Sequence, residues 1–237
     1  MTTAKIQPYN PLDKLNLARS IEIELLGRSA VPFDALDGIR GAGVYVIYYG
    51  GPFPAYSPIA SNAPESPTRR PIYVGKAIPK GGRKGGLTND ASATGRALAE
   101  RLSHHAKSIS EASNLELGDF SVRHLVIEDI WIPLGENMLI ETFKPVWNIA
   151  LDGFGNKTPG KRRETQYKSP WDVVHPGREF AERLADSPAS ADFFLQRIAD
   201  YFDGKPLAKL PKALIEQEEE QKADSATAGD PQEHQST

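Results

Sequence analysis

Two short segments rich in β-branched and aromatic residues most constrain the fold of this 237-residue chain. GVYVIYYG at 43–50 lies between glycines, and PIYVGK at 71–76 has the same character. A third segment, SVRHLVIE at 121–128, alternates along its length. This composition and alternation are typical of strands. The three segments predict a small antiparallel sheet.

Helical patterns lie before, between and after these strands. Residues 11–27 place leucine and isoleucine at mostly helical spacing, and Gly27 is a plausible stop. Residues 95–110 predict a second helix, and GENMLIETFKP predicts a third that Pro145 must end. The expected fold is α+β: about three antiparallel strands flanked by helices, with N- and C-terminal helical or loop extensions. The buried stripe of the second helix is predicted to be Leu98, Leu102, Ala106 and Ile109.

The connection between the first two strands is unusually long and rich in proline. Residues 51–70 contain five prolines, so they cannot form a tight hairpin turn. We expect a long excursion over the surface.

Composition excludes several classes of protein. Because the chain has no cysteine, it has no disulfide framework, no thiolate metal site and no cysteine nucleophile. The apolar runs are far shorter than the roughly 20 residues that a membrane helix needs. The N-terminus has no apolar signal segment. We therefore expect a soluble, cytoplasmic protein.

The net charge of −3 conceals an uneven distribution. Residues 216–237 carry seven acids and one lysine, which leaves a body of net charge +3. Positive charge concentrates at 68–89, which has six basic residues and no acid, and at 157–168, which has five and one. On charge alone such runs are usually solvated surface. The polar, acidic tail is predicted to be disordered.

Four motifs along the chain carry a family resemblance. They are GVY at 43–45, YVGK at 73–76, RLSHH at 101–105 and ENMLIETFKPVWN at 136–148. In this order they resemble the GIY-YIG nuclease superfamily, and the last is similar to a stretch of the excinuclease of nucleotide excision repair that belongs to this superfamily. The resemblance implies phosphodiester hydrolysis on a small sheet-and-helix domain.

The resemblance also implies catalytic roles. Glu136 would hold one Mg²⁺ per active site, which suits the preference of this ion for carboxylate oxygen. Arg101 and Tyr73 would hold the scissile phosphate. Because an ordinary tyrosine has a pKa of about 10, Tyr45 would need His105 beside it to activate water, and the general base is left open between Tyr45, His105 and Lys76. The implied catalytic set is Tyr45, Tyr73, Lys76, Arg101, His105, Glu136 and Asn148, the last with a positional role.

Each member of this set also has an ordinary structural explanation. A glutamate near the start of a helix is favoured by the helix dipole. Strand tyrosines are commonly part of a core, and a polar pair four residues apart on a helix is commonly plain surface. The case for catalysis therefore depends on the motifs occurring together.

The segment from 152 to 184, which includes SPWDVVHPGR, resembles the C-terminal part of NgoMIII-type restriction endonucleases, GIY-YIG enzymes that cleave CCGCGG. This resemblance implies a Type II restriction endonuclease acting on double-stranded DNA as a homodimer, since a palindrome is most simply read by a two-fold symmetric protein. Arginine and lysine are the side chains best suited to guanine edges and to phosphates. The predicted DNA contacts are Arg69, Arg70, Lys80, Arg83, Lys84, Lys157, Lys161, Arg162, Arg163, Lys168 and Arg178.

The predicted organisation has four parts. Residues 1–40 form an N-terminal helical extension, 41–150 the catalytic domain, 151–205 a DNA-recognition extension and 206–237 a disordered tail. Two other functions stay open: a GIY-YIG repair or recombination nuclease that nicks structured DNA, and a binding protein with a degenerate nuclease fold. A binding protein has no need of Glu136, which speaks against the second.

Overall fold

The computed structural model describes residues 10, 12–60, 70–78, 95–156 and 165–227. Of these, the residues up to 149, apart from 111–114, form one compact unit, and the others form a second. The first unit is α+β, as predicted.

The sheet of the first unit has four antiparallel strands within the described residues: β1 (Val31–Pro32), β2 (Gly43–Tyr49), β3 (Tyr73–Ala77) and β4 (Phe120–Val126). Their order is β1-β4-β2-β3, so β2 is central and β3 is an edge strand. The sequence predicted about three strands and missed β1. A two-residue strand is too short to show alternation, and its proline is tolerated because β1 is at an edge.

Five helices surround this sheet in the described part of the first unit. They are α1 (Lys14–Leu26), α2 (Ser57–Ala60), α3 (Ala97–Glu111), α4 (Ile132–Phe143) and α5 (Val146–Ile149). The side chain of Asp13 accepts a hydrogen bond from the backbone N–H of Leu15 and caps α1. Helix α4 ends at Phe143, two residues before Pro145, because a proline cannot continue the helix.

Helix α1 is part of the core of the first unit. Leu25 of α1 packs in one buried cluster with Val44 of β2 and Leu139 of α4, and Ile21 packs against it. The N-terminal helical extension predicted over residues 1–40 therefore has its helix packed on the first unit. The physical reason is that the even-numbered side chains of β2 form an apolar face that must be covered.

The first half of the proline-rich connection exposes its prolines, as predicted for a surface excursion, but it also contributes Tyr56 and Ile59 to the core. A 3₁₀ turn at Pro54–Tyr56 leads directly into α2, and Tyr56 is fully buried. The Tyr56 hydroxyl accepts a 2.8 Å hydrogen bond from Nε1 of Trp147, whose ring packs edge-on against it. The Tyr56 ring, which lies between prolines in the sequence, is therefore part of the hydrophobic core. Residues 61–69 lie outside the described residues.

The second unit contains α6 (Pro170–Val174), α7 (Ala191–Phe202) and α8 (Lys212–Thr227) among its described residues. Helix α8 corrects the prediction of a disordered tail from 206 onward as far as Thr227, and residues 228–237 lie outside the described residues. Leu214 of α8 is buried, and the Gln217 side chain exchanges two hydrogen bonds with the backbone of Tyr167. Glutamate, glutamine, lysine and alanine favour helix once one face has a partner.

In the part of the chain that the structure describes, no helix is both long enough and apolar enough to cross a membrane.

Candidate active site

The Tyr45 hydroxyl and His105 form the centre of the candidate site. Tyr45 lies on β2 and His105 on α3, sixty residues apart in sequence, and the Tyr45 oxygen lies 2.7 Å from Nε2 of His105. Both side chains are buried, with His105 only 1% exposed. When the imidazole carries its proton on Nδ1, Nε2 accepts the tyrosine proton. The pair is therefore placed for proton transfer.

His105 occupies the buried face of α3. Leu98, Leu102, His105 and Ile109 are the buried members of this stripe, and Ala106 is only partly buried. The prediction that Ala106 belongs to the stripe is therefore corrected, since His105 is buried in it and Ala106 is not. A histidine seven residues after Leu98 falls on the same helical face, and its hydrogen bond to Tyr45 makes its burial tolerable.

Arg101 joins this pair one helical turn earlier on α3. Its guanidinium is hydrogen-bonded to the hydroxyls of both Tyr45 and Tyr73. Burial alone would lower the pKa of Arg101, but the two tyrosines outweigh it and raise that pKa, so the arginine stays charged. The Tyr73 ring packs against His105 with a 5.3 Å centroid separation.

Burial raises the pKa of Tyr45 well above its ordinary value, and Tyr73 raises it further. The Arg101 guanidinium lowers it, and the charge of Glu136 raises it again. Tyr45 is therefore neutral in the resting protein. His105 lies within hydrogen-bond distance of this hydroxyl, and the Arg101 guanidinium favours its ionised form.

Gly75 lets the two tyrosines meet. It lies opposite Tyr45 in the β2–β3 register, and a Cβ there would be 2.4 Å from the Tyr45 hydroxyl oxygen and 2.9 Å from the Tyr73 ring. Any larger residue would push the hydroxyl away from His105. Gly75 was not among the predicted site residues, although a glycine inside a strand is a known signal of close approach.

Glu136 and Lys76 form an ion pair at the same site. Nζ of Lys76 on β3 lies 2.5 Å from Oε2 of Glu136 on α4. The Glu136 side chain is 16% exposed and that of Lys76 is 35% exposed. This pairing was not predicted, because the sequence shows no partner for either residue.

The single carboxylate at Glu136 fits Mg²⁺, which takes few ligands from protein. It does not fit a metal that binds only protein side chains. Among the described residues, no cluster of three or more metal-binding side chains occurs. Mg²⁺ commonly binds one or two carboxylates and completes its shell with water and substrate phosphate. Glu136 has a partly exposed carboxylate whose charge acts on Tyr45, and its chemistry fits a site of that kind.

Asn148 contacts backbone and not the catalytic groups. Its Oδ1 accepts a 2.8 Å hydrogen bond from the N–H of Val74, and its Nδ2 donates a 2.9 Å bond to the Val74 carbonyl. These two groups point outward from the edge strand β3. Asn148 therefore fixes the strand that carries Tyr73, Gly75 and Lys76, which agrees with the positional role expected of it.

The predicted DNA contacts divide into three groups. Arg70 is exposed, and Lys168 forms a 2.9 Å ion pair with the exposed Asp186. Arg178 is fully buried. The rest lie outside the described residues: Arg69, Lys80, Arg83, Lys84, Lys157, Lys161, Arg162 and Arg163.

The prediction that Arg178 binds DNA is wrong. Its guanidinium makes two hydrogen bonds to the Asp172 carboxylate, at 2.6 and 2.7 Å, and donates to the carbonyls of Gly153 and Phe154. Its charged end also packs over the Trp171 ring. Four of its five N–H donors are used inside the second unit, and the side chain is fully buried, so it is not accessible to a base or a phosphate. The sequence pattern indicated a positive charge but not its burial.

Arg178→Met should therefore destabilise the protein. It leaves the Asp172 carboxylate buried without its partner, which typically costs about 3–5 kcal/mol. Urea unfolding at neutral pH measures the loss. Arg183→Met is the matched control, because Arg183 pairs with Glu179 on the surface, where both are about three-quarters exposed, and such pairs contribute little. Equal losses in the two variants would contradict the structural role of Arg178.

His175 gives the second unit a pH-dependent stability. Burial, with the Arg178 charge, lowers the pKa of His175 to about 3, and its Nδ1 lies 2.8 Å from Oδ1 of Asn114. The unfolded chain takes up this proton near pH 6.5, so the stability is complete above that pH and is lost as pH falls toward 3.

We expect a loss of about 2 kcal/mol between pH 8 and pH 5 from His175 alone. Urea unfolding of the wild type and of His175→Gln at both pH values isolates the contribution of His175 to the pH dependence. The variant is less stable at pH 8, but it lacks the imidazole that takes up a proton on unfolding. The expectation is contradicted when both proteins lose the same free energy of unfolding on acidification.

The comparison with known families agrees with this geometry. The family model described as the Eco29kI GIY-YIG domain matches residues 37–202, which include every residue of the predicted catalytic set. No curated protein matches the chain. Because the match covers more than half of the chain, the protein belongs to the Eco29kI GIY-YIG family of restriction endonucleases.

Proposed function

We propose that this protein is a Type II restriction endonuclease that hydrolyses double-stranded DNA at a short palindrome, with CCGCGG as the proposed site. The observation that carries the proposal is the hydrogen-bonded group of Tyr45, His105 and Arg101 within a domain that matches a restriction endonuclease family. A protein that only bound DNA would not need this buried polar group, and titratable groups in such perturbed environments are concentrated at functional sites.

In the proposed reaction, His105 takes the proton of Tyr45, and the tyrosinate activates the attacking water. Arg101 keeps its charge and stabilises both the oxyanion and the scissile phosphate, with Tyr73 as a second donor. When bound at Glu136, one Mg²⁺ per active site supplies charge that stabilises the leaving 3′ oxygen. Asn148 and Gly75 keep the strand and the hydroxyl in place.

Tyr45 with His105 is favoured as the base over Lys76. The 2.7 Å contact gives the tyrosine proton an acceptor. Nζ of Lys76 instead lies 2.5 Å from Oε2 of Glu136 and is engaged in that ion pair.

A palindromic site is read most simply by two copies of the chain, each cutting one strand. The proposal therefore includes a homodimer on DNA. Base and phosphate contacts are assigned to basic residues at 69–84 and 157–168, and Arg178 is removed from that set.

The function is tested with purified protein, unmethylated plasmid DNA and Mg²⁺, followed by mapping of all ends. Discrete fragments whose ends fall within CCGCGG support the proposal. Ends within another palindrome would change the proposed recognition sequence but not the proposed class of enzyme. Nicks without sequence preference, concentrated at branched or damaged DNA, would instead favour the repair class. Intact DNA at high protein concentration would contradict the nuclease function.

A further inference from the structure

The Lys76–Glu136 ion pair has consequences beyond charge neutralisation. Glu136 is mostly buried, and a buried carboxylate needs a counter-charge. Arg101 is committed to the hydroxyls of Tyr45 and Tyr73. Lys76 therefore serves as the counter-ion of Glu136 in the metal-free protein.

A metal ion and Lys76 compete for the same carboxylate. At 2.5 Å, the Lys76 ammonium already occupies one oxygen of Glu136. A divalent cation on that carboxylate would place its charge next to the ammonium, and the repulsion is strong at such separations. The two cations would repel each other even if each contacted a different oxygen of the carboxylate.

Lys76 is suited to leave and remain nearby. Its side chain is a flexible four-carbon stem with a compact ammonium, and it is about one-third exposed. It has donors and no acceptor, so its partner after displacement must be an anion or an acceptor. The substrate supplies one in the phosphate held by Arg101. In this displacement only the side chain of Lys76 moves. The backbone of β3 stays in place, because Asn148 holds it at Val74, two residues before Lys76.

We propose that Lys76 is a displaceable counter-ion of Glu136. Before the metal binds, Lys76 pairs with the carboxylate and so weakens metal binding in the absence of DNA. When the metal binds, Lys76 moves to the DNA phosphate. This rests on the proposed function, in that the metal binds at Glu136. Its consequence is that the metal binds weakly until DNA offers Lys76 another partner, which is positive coupling between metal and substrate.

The test measures Mn²⁺ binding to the DNA-free protein by electron paramagnetic resonance, without any cleavage. Lys76→Met should bind Mn²⁺ about tenfold more tightly than the wild type. Lys76→Arg, which keeps the charge, should not gain affinity. Lys14→Met is the charge-matched control, since Lys14 is exposed on α1, and should behave as the wild type. Glu136→Gln should lose the binding.

The outcomes separate the two claims. When Glu136→Gln loses Mn²⁺ and Lys76→Met binds no more tightly than the wild type, the counter-ion role is overturned while the metal site stands. When Glu136→Gln binds as well as the wild type, the metal does not bind at Glu136 and both claims fall.

A measurement on the wild type avoids any effect of substitution on folding. Lysine ammonium NMR should show a Lys76 signal that shifts when Mg²⁺ is added. A signal unchanged at saturating Mg²⁺ would overturn the proposal.

Discussion

Glu136→Gln should lower kcat by about 10³-fold or more, equivalent to about 4 kcal/mol of transition-state stabilisation. The substitution keeps the shape of the side chain but removes the charge that we assign to the metal. Helix α4 should be unaffected, because Glu136 is not among its core residues. DNA affinity should be unchanged or slightly higher, since a negative charge near the phosphate is lost. Single-turnover cleavage and DNA binding measured on the same preparation separate the two effects.

Glu141→Gln is the matched control for this substitution. Glu141 is on the same helix, is exposed and carries the same charge. Its replacement changes the net charge equally but should leave kcat within about twofold of the wild type, as surface substitutions usually have small effects. The account of Glu136 fails when the two variants cleave at similar rates.

Tyr45→Phe should lower kcat by about 10²–10⁴-fold, the range typical of losing a general base. The ring still packs over Gly75, so only the proton path to His105 is removed. The buried Tyr45 hydroxyl cannot ionise without a proton acceptor. We therefore expect His105→Ala to lower kcat by a factor of the same order. Combining the two substitutions should add little, because residues that act as a unit are not additive.

Tyr48→Phe controls for the loss of a buried hydroxyl from the same strand. Tyr48 lies on the opposite face of β2, and its hydroxyl accepts a 2.9 Å hydrogen bond from Nη1 of Arg123. Its replacement should lower the free energy of unfolding but not kcat. A Tyr45→Phe enzyme that cleaves like the Tyr48→Phe enzyme would remove Tyr45 from the proton path.

The main elements of the fold could be predicted because they carry periodic signals. The strands β2, β3 and β4 and the helices α1, α3 and α4 each have an apolar pattern over several residues. The misses have no such pattern. Strand β1 is two residues long, Tyr56 is buried between prolines, and α8 depends on the tertiary contacts of Leu214 and Gln217.

The site was predictable only as a set of residues, not as a set of contacts. The motifs named Tyr45, His105 and Arg101, and the structure brings them together. The pairing of Lys76 with Glu136 joins an edge strand to a helix sixty residues later, which a sequence does not reveal. Arg178 shows the opposite error: an arginine ten residues after the basic run at 157–168 resembles a DNA contact until its buried partner Asp172 is seen.

The central claim is that this site cuts both strands of a specific DNA sequence. The most direct measurement uses a short duplex with one CCGCGG, labelled on each strand in turn, and a second duplex with the six base pairs scrambled. We predict Mg²⁺-dependent cleavage of both strands at symmetry-related positions in the first duplex, and none in the second. Equal cleavage of the two duplexes, or cutting of one strand only, would contradict the account.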